Sequence, residues 1–170
     1  MKAQIRIIAL SLFLTGISIS TFAQVSATAS ASATIVTPIA ISKTVDMNFG
    51  NVAVSSTAGT VVLTPAGTRT MTGGVTLPTI FGTVTAASFT VTGANNYTYS
   101  ITLPASPLTI TSGANTMTVS TFASNPATTG TLNSSGSQTL NVGATLNVGA
   151  TQAAGTYISG TPFTVTVNYN

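Results

Sequence analysis

The sequence has no cysteine, no histidine, no tryptophan and no glutamate, and its only acidic side chain is Asp46. Each absence closes a class of function. Without cysteine there is no disulfide to brace the chain, no thiolate nucleophile and no thiol near the leader for lipid attachment. Without histidine and cysteine, zinc and other transition metals lack their usual ligands. Calcium draws on several oxygen ligands, usually carboxylates among them, and one aspartate makes a poor cage. General acid–base catalysis needs two positioned titratable groups, and a serine or threonine nucleophile needs a base. Past the leader, Lys43 is the one candidate base. We therefore expect no catalytic residues, no cofactor, no metal site and no enzyme.

Charge is scarce as well. Of the four basic residues, Lys2 and Arg6 fall in the first six positions, and Lys43 and Arg69 lie in the body of the chain. Residues 1–23 read as a cleaved signal peptide. Lys2 and Arg6 form a positive n-region, Ile7 to Leu14 an apolar h-region, and Thr21-Phe22-Ala23 a small-residue cleavage site that leaves Gln24 first. The apolar run is shorter than the roughly 20 residues a bilayer core requires. The mature product is then nearly neutral. That argues against nucleic acid, which is held by several Lys or Arg contacts, and against electrostatic membrane binding. We expect export to the periplasm, cell surface or extracellular space of a Gram-negative-type bacterium, with no stable membrane insertion after leader removal.

In place of charge the chain carries 35 threonines. Threonine is β-branched, suits a pleated strand and tolerates water, so the composition points to a folded β protein rather than a disordered one. Residues 24–170 also form a domain of the size that buries roughly 68–70% of its unfolded surface. An uncharged β surface lacks the usual protection against edge pairing, so the edges are either covered or used. The T-x-T pairs are irregularly spaced and read as outward residues of amphipathic strands rather than a lattice-matched ice-binding array.

No helical periodicity follows the leader. Short extended runs are instead punctuated by Gly, Pro and Asn, the signature of a sandwich or barrel. The expected strands are Val25–Ile35, Pro38–Thr44, Asp46–Phe49, Gly59–Thr64, Arg69–Thr72, Ala87–Thr92, Tyr97–Leu103, Pro107–Thr111, Asn115–Phe122 and Thr161–Tyr169. Gly73-Gly74 reads as a turn, with no following G-K-[ST] to make a phosphate loop. Gly93-Ala94-Asn95-Asn96 is a strong turn signal that predicts a hairpin between its flanking strands. Residues 125–137 read as a loop. LNVGAT occurs at 140–145 and again at 146–151, and two copies are too few for a solenoid; two neighbouring short strands are expected. Lys43 and Asp46, three apart, point to opposite faces of a strand and read as solvent-facing charges or a weak surface pair. Arg69, in a turn-rich stretch, reads as a surface residue, with burial of its stem the alternative.

The two ends of the mature chain are the candidate contact elements. In the terminal strand Phe163, Val165, Val167 and Tyr169 share one face, which makes it a principal core strand. In the first run Val25, Ala27, Ala29, Ala31, Ala33 and Ile35 share one face, with Ser and Thr on the other. Burying four alanine methyls contributes roughly 3 kcal/mol, so docking this arm would lean on its backbone ladder. The arm (24–35) is a flexible linker, an ordinary first strand of the domain at 36–170, or a strand that inserts into a neighbouring subunit.

The blocks MNFGNV (47–52), GTVVLTPAGTRTMTGGV (59–75), ASFTVTGANNYTYSITLP (87–104), NTMTVSTF (115–122), VGATLNV (142–148) and GTYISGTPFTVTVNYN (155–170) resemble, in order, the secreted bacterial family numbered 4402 among domains of unknown function. A further likeness runs to chaperone–usher pilins of the archaic, spore-coat-U-like type. It rests on the alternating arm, Phe49-Gly50, Gly155-Thr156-Tyr157 and the penultimate Tyr169. Such pilins commonly carry a disulfide and bulkier donor arms, and this chain has neither.

The expected fold is all-β: a single antiparallel sandwich, immunoglobulin-like or pilin-like, after the leader. The expected function is a structural subunit of a pilus-like or other surface assembly. Its partners would be copies of itself or related subunits through strand addition, and a periplasmic chaperone. The alternative is a monomeric adhesin or glycan-binding module using Tyr97, Tyr99 and Tyr157.

Overall fold

The computed structural model describes residues 24–170, and the leader read at 1–23 lies outside them. The described chain is all-β, with no helix among the described residues. Ten strands follow in order: β1 (Ala40–Val45), β2 (Ala53–Leu63), β3 (Arg69–Thr76), β4 (Ala87–Thr92), β5 (Thr98–Thr102), β6 (Leu108–Ser112), β7 (Asn115–Asn125), β8 (Thr129–Thr131), β9 (Ser137–Val148) and β10 (Thr166–Tyr169). All belong to one compact unit, Ile35–Asn170. Residues 24–34 fall outside that unit, carry no strand assignment and are exposed; the strand expected at Val25–Ile35 does not form within the chain.

The larger sheet is organised by β9. One edge of β9 pairs with β7 over Asn141–Asn147. The other edge is shared: β4 takes Ser137–Val142 and β2 takes Ala144–Val148. Gly143 stands where the two partners part. A Cβ there would lie 2.1 Å from the Leu63 carbonyl oxygen and 2.8 Å from the Pro65 nitrogen, so only glycine lets β2 end this close. β1 extends the sheet beyond β4, β3 beyond β2, and β6 beyond β7. The smaller sheet has the order β10-β5-β8.

The doubled hexapeptide is thus one continuous strand, not two short ones. Six is an even number, so both copies keep the same alternation. Leu140, Val142, Ala144, Leu146 and Val148 all face one side and all are buried. The first two join Ala87 and Val91 of β4 against Tyr99, Leu132, Val165 and Val167 in a core closed by both sheets. The last three join Val61, Val75 and Val119 in a second core. No strand of the smaller sheet contributes to it; Met47, Phe49 and Val52 of a connecting segment cover part of it.

Three further expectations change. β4 and β5 do not form a hairpin: β4 pairs with β1 and β9, β5 with β10 and β8. The turn at 93–96 bridges the two sheets, with Gly93 donating to the Gly136 carbonyl and Leu132 to that of Tyr97. Gly73-Gly74 is not a turn but part of β3. Gly73 has φ of 67° and faces Gly59, where the β2–β3 register shifts between Val54 and Gly59. The extra residues of β2 press so close that a Cβ on Gly74 would sit 2.0 Å from the Thr57 carbonyl oxygen. The loop expected at 125–137 holds the short β8 and delivers Leu132 to the core.

Candidate functional site

The second core is only part-covered, and a cleft of about 1060 Å³ opens over it. Its floor is the sheet face carrying Leu108, Ile110, Met117, Val119, Leu146 and Val148. One lip is residues 45–54, which lead from β1 into β2; the other is residues 152–163, which lead from β9 towards β10.

The first lip joins the end of β1 to the start of β2 through the irregular stretch 46–52, which is not the strand expected at Asp46–Phe49. Only Asn48 pairs, in an isolated bridge with Thr85. The Gly50 amide donates to Asn48 Oδ1 at 2.8 Å, and Gly50 takes φ of 66°. The Asn51 amide donates to the Phe81 carbonyl and its Nδ2 to the Ile80 carbonyl, at 2.8 and 3.0 Å. These bonds fix a connecting turn on which Ile80 and Phe81 stand exposed. Arg69 is half-buried. Its guanidinium donates to the carbonyls of Phe49 and Asn51, tying β3 to the lip.

Lys43 and Asp46 meet in an exposed ion pair at 2.7 Å, with the second carboxylate oxygen at 2.8 Å. The β1 register shifts between Lys43 and Val45, which undoes the strict alternation that would set the two charges on opposite faces.

The second lip is held at its start. Gln152 Nε2 donates to the Thr116 carbonyl and to the Tyr157 hydroxyl, and that hydroxyl donates to the Ala153 carbonyl at 2.7 Å. Ile158 exchanges both backbone bonds with Thr111. Beyond it, residues 159–165 make no backbone–backbone hydrogen bond among the described residues.

The terminal-strand residues fall on one face, as their spacing requires. Val165 and Val167 are buried in the closed core, and Phe163 packs edge-on to Phe89 and tilted against Phe122, with centroids 6.3 and 5.0 Å apart. Tyr169 Oη accepts from the Ala94 amide at 2.6 Å and donates to the Thr37 carbonyl at 2.8 Å. Ladder pairing covers only Thr166–Tyr169, against β5. Among the described residues no strand pairs with the other edge of β10.

The arm residues Val25, Ala27, Ala29, Ala31, Ala33 and Ile35 are all exposed. The tyrosines considered for sugar stacking are not brought together. Tyr99 is fully buried, donating to Gln138 Oε1, and burial pushes its phenol up. Tyr97 packs edge-on to Tyr169, and Tyr157 belongs to the cleft lip. Among the described residues no group of three metal-ligating side chains occurs. What the arrangement offers is apolar surface and unpaired backbone, the two requirements for accepting a strand.

The family model described as Domain of unknown function (DUF4402) matches residues 39–169. No curated protein and no solved structure matches the chain.

Proposed function

The chain belongs to the DUF4402 family, and we propose that it serves as a non-enzymatic, exported structural subunit of a pilus-like or other surface assembly, its copies joined by β-strand addition. The supporting observation is a pair of unmatched elements. Among the described residues, the arm with strand alternation carries no strand assignment, and β10 is laddered on one edge only. The arm of one copy adds beside the Phe163–Tyr169 strand of the next. Each added backbone hydrogen bond contributes a net 0.5–1.5 kcal/mol or so, and several together outweigh the roughly 3 kcal/mol from the arm's alanine methyls.

Head-to-tail addition of this kind does not close on itself and gives open filaments. An open edge in transit is an aggregation hazard, which is the role for a periplasmic chaperone among the partners. The leader routes the chain to the periplasm, cell surface or extracellular space. The features shared with chaperone–usher pilins agree with this reading. The missing cysteines and the alanine-rich arm mark a departure in which the ladder carries the attachment.

Deletion of residues 24–35 tests it. We expect filaments or multimers of the intact chain, and monomers after deletion, by size-exclusion chromatography and electron microscopy. An identical state with and without the arm would sink the proposal.

A further inference from the structure

We infer that the seat for the arm is the cleft between 45–54 and 152–163, that the arm pairs there with 163–165 and the open edge of β10 that continues them, and that the occupant is Val25–Ile35 of a second copy. The inference rests on the strand-addition reading and specifies where the addition occurs.

The run before β10 has the form of a strand that lacks a partner. From Phe163 to Tyr169 the burial alternates without a break: half-buried, exposed, buried, exposed, buried, exposed, half-buried. Pairing to β5 nevertheless stops at Thr166, opposite Thr102, and Pro104 follows soon after on the β5 side. Residues 163–165 therefore continue the strand's burial alternation and, among the described residues, make no backbone–backbone hydrogen bond, beside the cleft that Phe163 itself lines. Backbone groups close to a core find partners in nearly all native structures.

Both surfaces expose apolar side chains, as Met71, Ile80, Phe81 and Tyr97 do elsewhere. Large apolar side chains exposed in the described chain include Val25 and Ile35, at the two ends of the arm, and Val45, Val54 and Ile158, on the cleft lips. Charge does not oppose their contact. The arm has no charged residue, and Lys43 and Asp46 at the rim neutralise each other.

The lining also suits the arm. At about 1060 Å³ the cleft stands at the top of the roughly 300–1,000 Å³ range of small-molecule sites, so its lining rather than its volume bears on the occupant. Its deepest residues, Val119, Leu146 and Val148, are already only 3–4% exposed. An occupant has no deep holes to fill with bulky side chains. Alternating methyl groups on an extended backbone fit such a shallow floor, and those are what the arm presents.

The absence of native cysteine makes a disulfide scan of the full chain clean. Cysteine is placed in turn at Ala27, Ala29 and Ala31, each combined with Ile158→Cys on the cleft lip, Thr131→Cys on β8 or Thr70→Cys on β3. After mild oxidation, an intermolecular ladder is expected on a non-reducing gel from an Ile158→Cys pair and not from the other two sites. Ladders only through Thr131→Cys or Thr70→Cys would overturn the cleft while leaving strand addition in place. No ladder from any pair, together with unassembled protein in micrographs, would overturn both. Should Ile158→Cys fail to fold, hydrogen exchange on the unaltered chain decides the matter. Amides of 163–165 are expected to exchange at least about tenfold more slowly in assemblies than in dissociated chains, as stable ladder bonds require. Unchanged exchange there would overturn the inference.

Discussion

Two halves of one strand face make the most instructive comparison in this molecule. Leu140 and Val142, near the start of β9, lie between two sheets, and every direction around them is filled. Ala144, Leu146 and Val148, on the same face a few residues later, lie under turns and an open cleft. The sequence of the two halves is nearly the same, LNVGAT repeated, so the difference is not in β9. It lies in what is laid over it. The smaller sheet covers the first half, and no strand of that sheet contributes to the core of the second. A strand's side chains specify that a face must be covered, and the rest of the fold specifies by what.

The sharpest test of this contrast is a matched pair of truncations. Leu140→Ala removes a side chain with no accessible surface from a core that cannot collapse, and a loss of about 3–5 kcal/mol is expected. Leu146→Ala removes the same atoms beneath an open cleft that water can enter, and about 2–3 kcal/mol is expected. Urea denaturation of the unassembled chain measures both. Equal losses would erase the distinction between the halves.

A smaller effect is expected from Tyr169→Phe, which sharpens the contrast by loosening the closed half alone. It removes the hydroxyl that accepts from Ala94 and donates to Thr37. The Ala94 amide is left without that partner, and about 1–3 kcal/mol should be lost in the same denaturation. The turn between the sheets should also exchange its amide hydrogens faster.

The smallest effect is confined to alkaline solution. Burial holds the Tyr99 phenol above its ordinary range. In the unfolded chain that phenol releases its proton above about pH 10, whereas in the folded chain it keeps it. The folded state then binds more protons, so stability declines as pH rises past that point. The contribution is fully present below the unfolded value and disappears through the folded one. Urea midpoints for the native chain and Tyr99→Phe, compared between neutral and alkaline pH, should show a steeper decline for the native chain.

Much of the framework was legible in the sequence because it is local. β4 coincides with the run read as Ala87–Thr92, and the alternation of Phe163 to Tyr169 placed its four apolar residues on the correct face. Pairing was less legible. The signal at 93–96 identified a turn, but a turn does not state whether the flanking strands share a sheet. That was decided by Gly136 and Leu132, some forty residues away, through backbone bonds. Gly73-Gly74 misled because the reason for two glycines lay on another strand, in the extra residues of β2. β8 was hidden by its three-residue length. The cleft was harder still. Its lips, 45–54 and 152–163, carry little periodicity, and their positions depend on long-range bonds from Asn51, Arg69 and Ile158.

The hexapeptide repeat in β9 also bears on how this chain tolerates changes in length. Inserting or removing one residue within Leu140–Val148 would turn half of its inward side chains out to water. Adding or removing a whole LNVGAT unit would leave the in–out phase intact and would again supply a glycine at the point where β2 and β4 diverge, since Gly149 follows Gly143 by one unit. Duplication of such a unit lengthens the strand without scrambling it. The same property creates a rival alignment, displaced by six residues, in which Asn141 takes the place of Asn147 and the repeat itself imposes no penalty. The flanks distinguish the native alignment, because such a slide carries Gln138 into the buried site of Ala144 or Gln152 into that of Leu146.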